Sequence, residues 1–363
     1  MIAYPETEQF RNVISKVVRK VRGKEEEKRN NPLPLLKFIG TVKLHGTNSA
    51  IGFNKELGHW FQSRNNVITS IKDNAGFAKY FEPFSNEFIQ EKLLNTNTII
   101  REEYEKGNSI IVFGEWCGGN IQSNVAITGL PKMFVIFKIK IVYPQLSPSQ
   151  ELDEDQKQEK DKEEEEEEES ETNSLSYWLQ PQEWSKINWH EKLIYNIYDF
   201  PVYEIDIDFN EPKMIQNKLI ELTDAVEKQC PVGLFFNRPG LGEGIVWTEW
   251  ATTHGTLTFK VKGQEHAVTK VKTLAAVDTE KLNSVQEFID YACTDNRMKQ
   301  GLDYLREQQI DSKEMKNVPV FLKWLTNDII KEEKDTMDKA QLDPKDVTKA
   351  ITTKGRTWYM NNI

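Results

Sequence analysis

The chain has 363 residues and a formal net charge of −10, with 38% hydrophobic and 10% aromatic residues. This length can form one large domain and a smaller one. Three separated cysteines without a CxxC pair argue against a disulfide framework and a thiolate zinc site, and they suit a reducing compartment. The five histidines form no HExxH motif, so we expect no structural metal.

The negative charge is concentrated in one tract of the chain. Residues 150–172 contain 14 acidic residues against 3 lysines, which leaves a net charge of +1 for the remainder. Like charges at this density repel one another and usually keep a segment disordered. We therefore expect a disordered acidic insertion at about residues 146–176, with a basic partner as one use for it.

The sequence contains no candidate for a membrane span. No apolar run approaches the roughly 20 residues that cross a bilayer, and the N-terminus has no signal-peptide core. We expect no membrane partner and a location in the cytoplasm or the nucleus. The basic, amphipathic segment VISKVVRKV leaves a mitochondrial location open.

The first half of the chain mixes helical and strand patterns. Residues 7–29 predict a helix, and LLKFIGTVKLHGTN predicts a strand that pairs with a second strand in GHWFQSRNNV. FAKYFEPFSNEFIQEKLL has helical periodicity. The apolar, β-branched segments 108–118 and 133–143 predict two buried strands.

Beyond the acidic tract, PQEWSKINWHEKLIYNIY predicts a helix and PVYEIDIDF a strand, followed by a helix in EPKMIQNKLIELTDAVEKQC. Residues 242–250 and 255–263 predict two more strands. The pattern is helical from about residue 267 onward. We therefore predict an α+β fold, with an antiparallel-sheet domain over 1–266 and an all-helical domain over 267–363.

Four short segments have lysine or glutamate at strand positions where an ordinary apolar core would not require a charged residue. Lys260 and Lys262 lie two residues apart, so on a strand they share a face and repel each other unless an anion lies between them. Glycines beside Glu115 and Glu243 let a ligand approach the backbone. No GxxxxGK[ST] phosphate loop is present. The segments are KLHGTN (43–48), GEWCG (114–118), EGIV (243–246) and KVKG (260–263).

In this order, the segments resemble the collinear motifs of the covalent nucleotidyltransferase superfamily, the polynucleotide ligases and capping enzymes. KLHGTN is similar to the KxHGTN form of type 2 RNA ligases, the phage nick-sealing and kinetoplastid RNA-editing ligases, whereas DNA ligases and capping enzymes typically carry KxDGxR. FGEWCGGNIQSNVAITGLPKMFVIF is also similar to RNA ligases. The resemblance covers about residues 36–265 outside the acidic tract and implies an ATP-grasp-like ligase core.

The resemblance implies a role for each matching residue. Lys43 would attack the α-phosphorus of ATP and carry the AMP, with Lys260 and Lys262 gripping phosphates. Glu243 would hold Mg²⁺ or Mn²⁺, directly or through water. The implied nucleotide-binding residues are Val42, Lys43, His45, Asn48, Arg64, Glu115, Phe137, Glu243, Lys260 and Lys262.

Several of these roles concern the nucleoside. Glu115 would accept a hydrogen bond from a ribose hydroxyl, Phe137 would stack on adenine, and Arg64 would meet the nucleotide or the 5′-phosphate end. His45 and Asn48 match positions near the phosphates and the ribose. One position departs from the family, in which the stacking motif often reads Phe-Asp-Ile, because Lys138 follows Phe137 here.

The implied activity is ATP-dependent joining of RNA 3′-hydroxyl and 5′-phosphate ends at nicks in duplex RNA, by a monomer. Such a duplex would be recognised mainly through its backbone and 2′-hydroxyls. The helical residues 267–363 are the natural RNA-binding candidate. They carry 16 basic and 16 acidic residues, so any basic face must be segregated in space.

Three alternatives stay open at this point. A DNA ligase or a GTP-dependent capping enzyme would share the core chemistry and differ in nucleotide and strand type. A catalytically inert homologue would bind RNA ends without joining them. A plain α+β interaction protein with an acidic loop would leave the paired lysines and the glycine-flanked glutamates unexplained.

Overall fold

A computed structural model describes residues 1–23, 30–144, 176–266, 284–308 and 310–363. The predicted acidic insertion lies outside the described residues, except that residue 176 already begins a strand. The end of the predicted first helix and residues 267–283 also lie outside them. The fold is α+β, as the sequence predicts, and no helix within the described ranges has the length and apolarity to cross a membrane.

The first sheet of the described residues has the strand order β1-β12-β11-β2-β10. The short strand β1 pairs in parallel with β12, and the other neighbours are antiparallel. The central strand β11 therefore lies between β2 and β12. The strands are β1 (Glu8–Gln9), β2 (Leu35–Lys43), β10 (Val202–Asp208), β11 (Gly244–Glu249) and β12 (Thr258–Lys262).

The second sheet has the order β5-β4-β3-β6-β7-β8, and β9 pairs in parallel with β7. Strands β6 and β7 are buried along almost their whole length, which explains their continuous apolar sequences. They confirm the strands predicted at 108–118 and 133–143. The strands are β3 (Thr47–Asn54), β4 (Gly58–Ser63), β5 (Val67–Ile68), β6 (Ser109–Cys117), β7 (Met133–Val142), β8 (Ser176–Trp178) and β9 (Ile194–Asn196).

The segment that we predicted as one strand across KLHGTN is two strands in two different sheets. Strand β2 ends at Lys43 and pairs with β10 and β11, whereas β3 begins at Thr47 and pairs with β4 and β6. The prediction of a single strand was therefore wrong. The apolar alternation is similar on both sides of residues 44–46, so the sequence pattern does not reveal that the chain changes sheets there.

The helices of the described residues begin and end as follows: α1 (Phe10–Arg22), α2 (Phe77–Phe81), α3 (Ser85–Glu87), a π-helix (Phe88–Leu94), α4 (Thr98–Glu105), α5 (Pro181–Trp184), α6 (Gln216–Lys228), α7 (Pro231–Phe235), α8 (Val285–Ala292), α9 (Asp295–Glu307), α10 (Val318–Glu332), α11 (Lys334–Lys339) and α12 (Pro344–Asn362). Short 3₁₀ turns cover Glu82–Phe84, His190–Lys192, Ile197–Asp199 and Met315–Asn317. The helical predictions for 77–94 and 211–230 are confirmed in these broken and trimmed forms.

The helix predicted over residues 181–198 is wrong beyond its first turn. Leu193 has a φ of 47°, which ends any helix there, and the next residues form strand β9 against β7. The fully buried Asn196 donates hydrogen bonds to the carbonyls of Trp184 and Ile187. Contacts with β7 and this buried amide override the helical periodicity of the segment.

Two groups of buried side chains form separate cores within the described residues. One lies between and around the sheets and runs from Phe10 to Val261. The other lies among helices α8 to α12 and runs from Phe288 to Tyr359. The C-terminal helices are therefore packed around a core of their own, and α10 reaches the first sheet through side chains described below.

Candidate active site

The carboxylate of Glu243 is the centre of a cluster of cationic side chains. It lies directly before β11 and is 2% exposed. Its Oε2 atom accepts a hydrogen bond from Lys43 Nζ at 2.8 Å and lies 3.3 Å from His45 Nδ1. Its Oε1 atom lies 3.0 Å from Lys262 Nζ. Residues from two separate sequence segments therefore share one buried carboxylate that a third segment supplies.

The register of the first sheet brings these residues together. Gly244 pairs with Lys43 on one side and with Lys262 on the other. The neighbouring pair, Val42 and Ile245, is buried and anchors the end of β2. Gly244 has a φ of 152°, and a Cβ there would collide with the Val261 carbonyl oxygen, so this position requires glycine.

The charged groups of this cluster shift one another's pKa values. Burial by itself would raise the pKa of Glu243, but the charges of Lys43, Lys262 and His45 hold it well below its usual range. Burial lowers the pKa of Lys262, and the nearby charges of Lys43 and Lys260 add to that effect against the opposing pull of Glu243. The carboxylate is therefore ionised at neutral pH and binds its donors as an anion.

Glu115 is linked to the cluster through the turn between β2 and β3. Its Oε1 atom accepts a hydrogen bond of 2.9 Å from the backbone N–H of Gly46. A Cβ at Gly46 would collide with the Trp116 carbonyl oxygen, so the turn approaches β6 only because this residue is glycine. Asn48 lies opposite Glu115, and its buried Oδ1 atom has no hydrogen-bond partner among the described residues. An unsatisfied buried acceptor of this kind suits a ligand donor.

Tyr4, in the N-terminal segment, contacts Phe137 and is influenced by the charge of Arg64. Phe137 occupies an irregularity in the β6–β7 pairing, where the register shifts between Phe113 and Gly114. Its ring centroid lies 5.1 Å from that of Tyr4, edge to face. Burial raises the pKa of the Tyr4 hydroxyl, and the positive charge of Arg64 opposes this increase. The structure therefore places Tyr4 against Phe137 and within electrostatic reach of Arg64.

Lys138, the departure from the family motif, has a buried amine. It is 4% exposed, and its Nζ atom donates hydrogen bonds to the Gly255 carbonyl at 2.6 Å and to Thr258 Oγ1 at 3.3 Å. The same atom lies 4.5 Å from the ring centroid of Trp178. Burial lowers its pKa to about 7, and Lys140 adds to the shift. Lys138 thus connects β7 to the start of β12, which carries Lys260 and Lys262.

Lys260 shares a strand face with Lys262, as the sequence predicts, but binds a different anion. Its Nζ atom lies 3.4 Å from Oε1 of Glu332, the last residue of helix α10. Lys262 binds Glu243 instead. Each lysine therefore has a carboxylate partner, which relieves the repulsion that we expected between them.

Three residues at the site were missed by sequence reasoning. Tyr4 and Glu332 are separated from the motifs by long stretches of chain, and nothing in their local sequence indicates that they reach the site. His266 could have been found, because it follows Lys262 by four residues. Its ring centroid lies 5.3 Å from that of His45, and burial lowers its pKa to about 4, so its imidazole is neutral at pH 7.

The residues around Glu243 can bind a divalent cation only if an anion binds with it. Carboxylate oxygens are the ligands that Mg²⁺ and Mn²⁺ prefer. Three nitrogen donors already occupy the Glu243 carboxylate, and its oxygens retain little further acceptor capacity. Two of these donors are cationic lysines, so a bare metal ion would be repelled. Phosphate groups that draw the lysines away and add negative charge would make the residues fit such an ion.

Solved structures similar to this chain include RNA ligases from Naegleria gruberi. A mutant solved with ATP and Mn has a TM-score of 0.41 and 17% identity, over 73% of this chain and 57% of that one. The same organism's ligase with PPi has a TM-score of 0.37 and 16% identity, over 73% and 56%. The chain thus spans less than two thirds of those proteins. No curated protein sequence gives a significant match.

A family model provides the assignment. The model described as RNA ligase matches residues 36–349, which is most of the chain. The matched range contains every one of the four motif segments and all the residues around Glu243. The chain belongs to the RNA ligase family.

Proposed function

We propose that the chain is an ATP-dependent RNA ligase that joins 3′-hydroxyl and 5′-phosphate ends at nicks in duplex RNA. The observation that carries the proposal is the convergence of Lys43 and Lys262 on the buried Glu243 carboxylate. A lysine held at a fixed position among cations suits attack on an anionic phosphate. The motif order and the family add support.

In the first step, the Lys43 amine, once deprotonated, attacks the α-phosphorus of ATP. A P–N bond forms, the P–O bond to the β-phosphate breaks, and pyrophosphate leaves. The Glu243 carboxylate fixes the position of Lys43 Nζ before the nucleotide arrives. Positioning of this kind can supply a large part of the rate enhancement in phosphoryl transfer.

The AMP is then transferred to the 5′-phosphate of one RNA end, which breaks the P–N bond and forms a phosphoanhydride. The 3′-hydroxyl of the adjoining end attacks that activated phosphate and releases AMP. In each step negative charge develops on phosphate oxygens. Lys260 and Lys262, on one face of β12, would neutralise this charge.

A divalent metal ion, Mg²⁺ or Mn²⁺, would further neutralise the triphosphate, and Glu243 would hold it once phosphates engage the lysines. Glu115 and Asn48, which face each other across β3 and β6, would bind the ribose. Phe137 would stack on the adenine, with Arg64 and His45 near the nucleotide or the 5′-phosphate. These roles follow from the family resemblance.

The C-terminal helices offer an RNA-binding face. Helix α12 buries Val347, Ile351, Gly355 and Tyr359 against the second core. Outside that buried face, Lys345, Lys349 and Arg356 are exposed and form no ion pair within the described part of the chain. Residues at this spacing lie on one face of a helix. Such a row of cations suits the phosphate backbone of a duplex, so we place RNA binding within residues 267–363.

We propose a monomeric enzyme of the cytoplasm or the nucleus that acts in RNA repair. The acidic tract at about residues 146–176 is assigned to a basic partner, because its charge would repel RNA.

The direct test uses an RNA duplex with one nick, ATP and Mg²⁺. The full-length chain should seal the nick, and a trace of RNA-adenylate should precede the product. A DNA nick in the same sequence should be sealed poorly. Activity with GTP in place of ATP would favour a capping enzyme, and binding of RNA ends without any sealing would favour an inert homologue.

A further inference from the structure

Lys260 is bound by a residue from outside all four motif segments. Glu332, at the C-terminal end of α10, lies 3.4 Å from Lys260 Nζ through its Oε1 atom. The side chains of both residues are largely buried, with 19% of Lys260 and 11% of Glu332 exposed. An ion pair with this little water around it constrains its partners more than an exposed pair does.

Glu332 is itself held by two further donors. Its Oε2 atom accepts hydrogen bonds from Arg297 at 2.7 Å and from Gln9 at 2.9 Å. Arg297 is fully buried, and Gln9 pairs with Lys260 in the register of β1 and β12. One oxygen of Glu332 is therefore anchored to the helical core and the N-terminal strand, which leaves the other oxygen directed at Lys260.

Glu333, the neighbouring residue, attaches the C-terminal helices without contacting Lys260 in the described residues. Glu333 is also fully buried and binds Arg11 at 2.8 Å and Arg297 at 3.5 Å. It forms no contact with Lys260 in the described residues. Glu333 thus joins the C-terminal helices to α1 without reaching Lys260, whereas Glu332 binds a lysine of the nucleotide site in addition to Arg297 and Gln9.

The geometry points to Glu332 as a positioning residue for Lys260, supplied to the nucleotide site by the helical C-terminal region. This inference rests on the proposed function. Glu332 offsets the positive charge of Lys260 and fixes the direction of its side chain. The incoming phosphates then meet a lysine that is already placed, so the C-terminal helices contribute to the first chemical step as well as to RNA binding.

The test compares Glu332→Gln, Glu332→Asp and the matched control Glu333→Gln, measured as single-turnover transfer of labelled AMP to the full-length protein. Glu332→Gln should lower the maximal rate about 10- to 100-fold, because a misplaced lysine no longer meets the phosphates. Its apparent KM for ATP should stay within about threefold of the wild-type value, because the removed carboxylate competes with phosphate for Lys260. Glu332→Asp, which keeps the charge, should recover part of the rate.

Glu333→Gln should lower the melting temperature at least as much as Glu332→Gln while retaining the wild-type rate at a temperature where both are folded. Equal rate losses in the two variants, in proportion to their loss of stability, would overturn the inference. An unchanged rate in Glu332→Gln would also overturn it. A wild-type protein that takes up no AMP would contradict the proposed function itself.

Discussion

The Nζ atom of Lys43 lies 2.8 Å from Oε2 of Glu243, although 200 residues separate the two in the chain. The contact exists because β11 lies between β2 and β12, and Gly244 pairs with both Lys43 and Lys262. A single carboxylate thus sets the positions of two lysines.

Glu243→Gln should abolish most AMP transfer to the protein, lowering its rate by about 100-fold or more. It leaves two buried cations without an anion, so the free energy of unfolding should also fall by about 3–5 kcal/mol. Radiolabel uptake and urea unfolding measure the two effects. Glu249→Gln is the matched control, because Glu249 is buried on the same strand but binds the backbone N–H groups of Thr252 and Thr253. Loss of uptake in both variants would contradict the assigned role.

Phe137 lies on the second sheet in edge-to-face contact with Tyr4, and we propose that its ring stacks on the adenine of ATP. Phe137→Leu should raise the apparent KM for ATP roughly tenfold, because base stacking on an aromatic ring contributes about 1–3 kcal/mol. Phe137→Tyr keeps the ring and should stay near the wild-type value. The measurement is the ATP dependence of AMP uptake, and equal KM values for the two variants would rule out stacking by Phe137.

Lys138 should give stability an unusual pH dependence. Its pKa is about 7 in the folded chain and about 10.4 in the unfolded chain. Between these values the unfolded state binds the extra proton, so stability rises with pH across that window and is independent of this group below it. The difference in unfolding free energy between wild type and Lys138→Met should therefore shift in favour of wild type from pH 7 to pH 10. Urea titrations at several pH values measure it, and a constant difference would contradict the prediction.

The exposed cations on α12 should matter for nick sealing but not for AMP uptake. Replacing Lys345, Lys349 and Arg356 by alanine should leave AMP uptake unchanged, since these side chains are exposed and lie outside the buried face of the helix. Nick sealing should weaken, and its dependence on salt should become shallower because fewer phosphate contacts release counterions.

The control for that variant removes three exposed lysines of the sheet region that are paired with carboxylates: Lys37, Lys55 and Lys218. It changes the net charge by the same amount and should seal nicks as wild type does. If both triple variants weaken sealing equally, the effect belongs to net charge and α12 is not the RNA-binding face.

Much of the site could be predicted because its chemistry is encoded in local segments. KLHGTN, GEWCG, EGIV and KVKG each contain a residue that the structure brings to the Glu243 carboxylate or to the turn beside it, and strand alternation alone predicts that Lys260 and Lys262 share a face. The α+β class also follows from strand and helix periodicity. Which carboxylate each lysine binds does not follow, because it depends on sheet order rather than on local sequence.

The errors arise where contacts distant in sequence decide the local structure. The change of sheet after Lys43 and the strand formed by Ile194–Asn196 both depend on pairing with distant strands. Tyr4 and Glu332 reach the site only through the packing of both ends of the chain against the sheets. Periodicity within a short window contains no information about such contacts.

The most direct test of the account is peptide mapping of the full-length protein after incubation with ATP and Mg²⁺. The account predicts AMP attached through an acid-labile bond to the peptide that contains Lys43, and no attached AMP in Lys43→Arg. A nick-sealing protein whose AMP is found on Lys260, Lys262 or any other residue would contradict it.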